Sequence, residues 1–149
     1  MPRSILFVCQ ANICRSPIAE GVAGEIARKR GIDLTIDSCG LINLYAGERP
    51  CSYSVRAARE HGIDISSMRA RQITYKDIDA FELIIALDEE NRLELTKMGA
   101  RNVFKLGEFG YNGGDIPDPH FFPSYEGVDK VYEIIELCVT NLLEELTAK

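Results

Sequence analysis

The sequence has no run of basic residues, no long apolar stretch near its beginning and no closely paired cysteines. Each absence excludes something. Lys and Arg number 17 against 23 Asp and Glu, a formal charge of −6, and the basic residues are scattered, so the electrostatic footprint of a general nucleic-acid binder is missing. Any anion site must then be local, because an acidic protein needs a concentrated set of donors to hold a multiply charged anion. The apolar stretch 5–8 before Cys9 is too short for a signal-peptide core or a membrane span. A cytoplasmic protein without membrane insertion is expected. The cysteines stand at 9, 14, 39, 51 and 138, an odd number without metal-ligand spacing. They read as thiols, one of them reactive, with no metal or cofactor expected.

What is present is ordinary globular material: 46% apolar and 27% charged residues leave little case for disorder. A chain of 149 residues fits one domain, 1–149, able to bury roughly two-thirds of its unfolded surface.

Residues 4–8 form a short apolar run that ends at a loop of small and polar residues, after which Ile18, Val22 and Ile26 carry helical spacing. The helix is expected to start near Pro17 and stop at Gly31. Strands are further predicted at 34–38, 81–87 and 102–105, and helices at 54–61 and 88–98. From Val128 the positions Val131, Tyr132, Ile135, Cys138, Val139, Leu142, Leu143 and Leu146 keep helical spacing to the end. Two stretches, 39–51 and 107–125, lack a period and are rich in turn formers, which marks them as candidate functional loops. Strands alternating with helices imply right-handed crossovers and a parallel sheet covered on both faces, with ligands at the carboxyl ends of the strands.

Cys9 sits at such an end. The segment Cys9-Gln10-Ala11-Asn12-Ile13-Cys14-Arg15-Ser16 joins the first strand to the first helix, so its backbone N–H groups can curl round an anion. The positive end of the helix would stabilise a thiolate at Cys9, and Arg15 adds a planar fork suited to two phosphate oxygens. A cysteine and an arginine at this spacing are weak evidence alone. Their place between a strand end and a Ser16-Pro17 helix start supplies the specificity.

That loop resembles the phosphate loop of low-molecular-weight protein tyrosine phosphatases. Ser38-Cys39-Gly40, His61-Gly62-Ile63-Asp64, Arg69-Ala70-Arg71-Gln72, Leu87-Asp88 with Asn91, and Asp118-Pro119 resemble successive landmarks of that family in order, over nearly the whole chain. The resemblance implies a four-stranded parallel sheet of the flavodoxin-like, phosphotyrosine phosphatase I type. It also implies that Asp118 reaches over the loop as general acid, protonating a tyrosine oxyanion whose conjugate acid has a pKa of about 10. Cys9 would be the nucleophile of a cysteinyl-phosphate intermediate and Arg15 the phosphate grip, with loop amides of Gln10, Ala11, Asn12, Ile13 and Cys14 around the anion. Ser16 would donate to the thiolate, Asn12 would hold the loop, and Asp88 would orient Arg15. Phosphotyrosine proteins are the implied substrates, and inorganic phosphate or other oxyanions the implied inhibitors.

The sequence departs from the family pattern in places. Ala11 replaces a usual glycine, so either that residue avoids a positive φ or the loop is strained. Met68 replaces a histidine that supports the loop through serines, which bears on the network around Ser38 and Asn12. Leu44 stands where many members carry tryptophan, and Leu44, Tyr45, His120, Phe121 and Phe122 are candidate pocket walls. Cys14 is expected either to form a reversible disulfide with Cys9 or to stay a buried thiol; Cys39, Cys51 and Cys138 are expected to be packing residues. Asp115 is the rival for general acid, His61 reads as structural, and Asp77 and Asp79 read as solvated charges.

Three rival functions remain in view. A phosphoarginine phosphatase would favour threonine where Ile13 stands. A thiol-dependent arsenate reductase would need further redox cysteines. A non-catalytic phosphate or phosphopeptide binder would need no acid at Asp118.

Overall fold

Alternation along the first strand decides the layout of the molecule. In the computed structural model, which describes residues 1–119 and 125–148, β1 (Ser4–Cys9) is the second of four strands. The others are β2 (Thr35–Gly40), β3 (Leu83–Ala86) and β4 (Val103–Lys105), in the order β2-β1-β3-β4, every pair parallel. Because successive side chains in a strand point to opposite faces, Ile5 and Phe7 enter one core layer and Leu6 and Val8 the other. All four are fully buried, as the near-continuous apolar run of a two-sided parallel strand requires. Burying each such side chain contributes about 1.5–3 kcal/mol.

The odd face of β1 is covered by α1 (Arg15–Arg30), α2 (Ser52–Glu60) and α5 (Tyr125–Thr147). On α5 the buried positions are Val128, Val131, Tyr132, Ile135, Cys138, Val139, Leu142 and Leu143, as the helical spacing predicts. His61 stacks on Tyr132 with ring centroids 4.1 Å apart, and its Nδ1 meets the Ala57 carbonyl at 2.9 Å, a structural position. The other face packs on α4 (Glu89–Lys97) through Leu95, with Ile73 and Ala100 beside it. No helix of the described residues is long and apolar enough to cross a membrane.

Two elements differ from the sequence expectation. α1 starts at Arg15, two residues before Pro17, with Cys14 as its N-cap. Proline fits the first turn because the N–H it lacks has no intrahelical partner there. Gly31 closes the helix with φ 63°, as expected. The second difference is a six-residue helix, α3 (Tyr75–Ala80), that periodicity is too short to reveal. It is held by a reciprocal cap: Thr74 Oγ1 accepts from the Asp77 N–H, and Asp77 Oδ2 accepts from the Thr74 N–H at 2.8 Å. Asp77 is therefore a buried residue rather than a solvated charge, and it also accepts from both terminal nitrogens of Arg71, at 2.9 and 3.0 Å.

Candidate active site

The cradle forms where β1 ends. Cys9 and Gly40 are register partners at the carboxyl ends of β1 and β2. A Cβ at Gly40 would lie 2.9 Å from the Ala11 carbonyl carbon and the Gln10 oxygen, and 3.0 Å from the Asn12 nitrogen. Only glycine lets β2 approach the loop backbone this closely. The Leu41 and Ile42 N–H groups then tie down the Gln10 carbonyl at 2.9 and 3.1 Å.

The left-handed residue of the loop is Asn12, φ 61°, not Ala11, so alanine at position 11 costs the loop nothing through a positive φ. Asparagine visits this region more readily than most residues. Every polar group of the Asn12 amide is engaged: Nδ2 donates to Ser16 Oγ at 2.8 Å and Ser38 Oγ at 3.0 Å, and Oδ1 accepts from the Arg71 N–H at 3.1 Å. The Asn12 backbone N–H points at Cys9 Sγ, 3.2 Å away. Ser16 Oγ lies 3.0 Å from the same sulfur, and because it already accepts from Asn12, its own proton is left to donate to the sulfur. Two donors therefore converge on Sγ of a 3% exposed cysteine.

Arg15 opens α1 and is itself buried. Its Nη1 donates to Asp88 Oδ2 at 2.9 Å and to the Ile116 carbonyl at 3.0 Å, which fixes the plane of the fork. Asp88 is the N-cap of α4, where its Oδ1 accepts from the Asn91 N–H at 2.8 Å. One carboxylate thus caps a helix and aims an arginine. Asp118 Oδ2 stands 4.0 Å from Arg15 Nη2.

These residues share a cavity of about 190 Å³ lined by the loop from Cys9 to Arg15 together with Ile42, Tyr45 and Asp118. Tyr45 is a wall, as expected. Leu44 is not: its side chain is 71% exposed, and Ile42 takes the apolar place. In the turn after β2, Leu44 faces solvent while Tyr45 packs with Ile13 and Cys14. His120, Phe121 and Phe122 lie outside the described residues. The rival acid Asp115 is occupied elsewhere, bound to Lys105 Nζ at 2.9 Å and accepting from the Glu89 N–H at 2.9 Å. The Lys105 ammonium holds its carboxyl below the usual carboxylate range.

Sequence reasoning missed Glu20. Ser38 Oγ donates to Glu20 Oε1 at 2.6 Å, so the serine network that lacks a histidine at position 68 ends on a carboxylate from α1 instead. Met68 packs against the apolar core. Burial pushes the Glu20 carboxyl up, opposed by the bond from Ser38. A signal was available: Glu20 follows Ser16 by four residues and so shares its helix face.

The cysteines also differ from expectation. Cys14 is bonded to Cys51, not poised to bond Cys9, and Cys51 is therefore no mere packing residue. The two are helix N-caps brought together by the bond from the Cys51 N–H to the Ile13 carbonyl at 2.8 Å, with Cα atoms 5.5 Å apart. Cys9 keeps a free thiol. Cys39 and Cys138 are fully buried packing residues, and desolvation raises both thiols, that of Cys138 to about 11.

A parallel α/β sheet whose first strand runs through a cysteine-to-arginine anion cradle into a helix defines the phosphate-loop class. Residues 4–149 match the family described as low molecular weight phosphotyrosine protein phosphatase, and the chain belongs to that family. It is 36% identical over 133 residues to the low molecular weight protein-tyrosine-phosphatase YfkJ of Bacillus subtilis, covering 84% of this chain and 85% of that protein. It is 30% identical over 152 residues to the Sus scrofa low molecular weight phosphotyrosine protein phosphatase, covering 97% and 96%. Among solved structures, the Drosophila arginine phosphatase superimposes with a TM-score of 0.90 at 28% identity, covering 97% of this chain and 98% of the other.

Proposed function

We propose that the protein is a metal-independent protein tyrosine phosphatase acting through a cysteinyl phosphate on Cys9. The observation that carries this reading is the convergence of the Asn12 N–H and Ser16 on Cys9 Sγ inside the cavity that Arg15 and Asp118 also line. The thiolate attacks phosphorus while Arg15 and the loop amides hold the equatorial oxygens, whose charge is the part that grows hardest to solvate in an enclosed site. Asp118 in its protonated form gives its proton to the leaving phenol oxygen; as carboxylate it then takes a proton from the water that splits the S–P bond. Ser16 stabilises the thiolate that departs in this second step. Membership of the family, whose characterised relatives carry phosphotyrosine phosphatase names, supports the substrate class. A cytoplasmic location and inhibition by inorganic phosphate or other oxyanions belong to the same reading.

A second reading, hydrolysis of phosphoarginine, is favoured by the likeness to the Drosophila arginine phosphatase. Against it stands the apolar wall that Ile13 and Ile42 give the pocket, which suits a phenyl ring better than a guanidinium.

Steady-state hydrolysis of phosphotyrosine, phosphoarginine and p-nitrophenyl phosphate by wild type, Cys9→Ser and Asp118→Ala, without added metal, tests the proposal. Cys9→Ser is expected to be inactive. Asp118→Ala is expected to lose roughly 10²–10⁴-fold in kcat on phosphotyrosine and less on p-nitrophenyl phosphate, whose leaving group needs less protonation. Preference for phosphoarginine would replace the substrate assignment. Phosphate binding without turnover of any ester, or turnover of arsenate alone, would overturn the phosphatase reading.

A further inference from the structure

The Cys14–Cys51 bond lies at the edge of the cavity that holds Cys9, and it leaves Cys9 as a free thiol. Cys9 and Cys14 both line that cavity, five residues apart on a loop that closes on itself. Cys51 comes from a segment 37 residues beyond Cys14 and is the more exposed of the bonded pair, at the surface where a second molecule can reach it. The three sulfurs therefore form a sequence from the buried nucleophile outward: Cys9, Cys14, Cys51. Cys14 and Cys51 are both N-caps, and the positive end of a helix favours a thiolate at that position. Cys39 is set in the core layer on the opposite face of the sheet and Cys138 inside α5, and neither takes part.

We propose that Cys14 and Cys51 form a thiol–disulfide exchange site that restores Cys9 after oxidation, with a hydroperoxide as oxidant and a dithiol as reductant. This rests on the reading of Cys9 as a reactive thiolate. In the first step the Cys9 thiolate attacks the hydroperoxide; an S–O bond forms, the O–O bond breaks, and the alcohol or water leaves with a proton from solvent. Cys9 is now a sulfenic acid, oxidised by two electrons. The Cys14 thiolate attacks the Cys9 sulfur, the S–O bond breaks, and the oxygen leaves as water, giving a Cys9–Cys14 disulfide. The Cys51 thiolate then attacks the Cys14 sulfur, the Cys9–Cys14 bond breaks, and Cys9 departs as the thiolate. The product is the arrangement seen here: Cys14–Cys51 bonded and Cys9 free. A dithiol returns the pair to two thiols and becomes a disulfide itself. The net reaction consumes one hydroperoxide and one dithiol and yields one disulfide, one alcohol or water, and a further water.

Fully reduced protein exposed to hydrogen peroxide, alkylated, and mapped by mass spectrometry without reduction tests this on the wild type alone. The expected product is Cys14–Cys51 with alkylated Cys9. In Cys51→Ser the Cys9–Cys14 disulfide is expected to accumulate, with activity lost until dithiothreitol restores it. In Cys14→Ser, Cys9 is expected to pass to sulfinic and sulfonic acids that dithiothreitol does not reverse. Irreversible oxidation of Cys9 in the wild type as fast as in Cys14→Ser would overturn the proposal, as would a wild type that stops at Cys9–Cys14. Ester hydrolysis by the reduced wild type, measured before peroxide, reads the phosphatase assignment separately, because the disulfide map does not depend on turnover.

Discussion

The hydroxyl of Ser38 donates to the Glu20 carboxylate at 2.6 Å, and the same oxygen accepts from Asn12 Nδ2, so a carboxylate on α1 is linked to the amide that shapes the phosphate loop. Glu20 touches neither Cys9 nor Arg15 in any bond described above. Its part is positional: it orients Ser38, Ser38 orients Asn12, and Asn12 presents its backbone N–H to the sulfur. Glu20→Ala is expected to lower kcat about five-fold, the equivalent of one hydrogen bond of about 1 kcal/mol, with Glu20→Gln closer to wild type because its amide oxygen still accepts.

Glu20 also carries a pH signature. Burial raises its carboxyl above the usual value of 4.5, so the folded protein binds a proton more readily than the unfolded chain. The stability this gives is fully present below pH 4.5 and is lost as pH rises through the folded value. Melting temperatures measured upward from that pH should therefore fall for wild type relative to Glu20→Gln, which has no proton to lose. A constant difference between the two across the range would contradict this.

Asp88 does two things that one substitution can separate. It holds Arg15 at 2.9 Å and caps α4 through the Asn91 N–H. Asp88→Asn keeps an oxygen for the cap but loses the charge opposite the guanidinium. The melting temperature should then change little while phosphate affinity and kcat/KM drop, by roughly ten-fold or more for a lost charge-assisted bond. Asp88→Ala should lose both. Equal phosphate affinity in wild type and Asp88→Asn would show that the loop alone orients Arg15.

Asp77 is expected to set part of the acid limit of the fold. Burial pushes its carboxyl up, but the Arg71 guanidinium and the Thr74 N–H and hydroxyl outweigh that and hold it below the usual 3.8. A depressed carboxyl contributes stability above its unfolded value and loses it as pH falls through the folded one. At neutral pH, Asp77→Asn should be less stable than wild type by roughly 1–2 kcal/mol, for the lost cap and charged bonds. Denaturant titrations below pH 3.8 should show that gap closing.

The residues that announce themselves in the sequence are those whose chemistry depends on neighbours in the chain. Cys9, Arg15 and the Ser16-Pro17 helix start lie within one loop, so spacing and composition reveal the cradle, and the four strands and α5 follow from unbroken periodicity. What stayed hidden depends on contacts across the fold. Asp77 looks solvated until Arg71 is brought beside it by the turn before α3. Cys51 gives no sign of its partner 37 residues back, because pairing is set by how two helix starts meet. Leu44 and Tyr45 are adjacent, and only the turn geometry after β2 decides which one faces the pocket.

The central claim is the covalent step at Cys9, and acid-quenched mass spectrometry of Asp118→Ala turning over p-nitrophenyl phosphate tests it most directly. That substrate expels its leaving group with little help, while hydrolysis of the intermediate still needs the base, so the intermediate should build up. A phosphoryl group on the Cys9 peptide, absent from Cys9→Ser, is the predicted result. Steady turnover with Cys9 unmodified, or phosphate carried on another residue, would contradict the account.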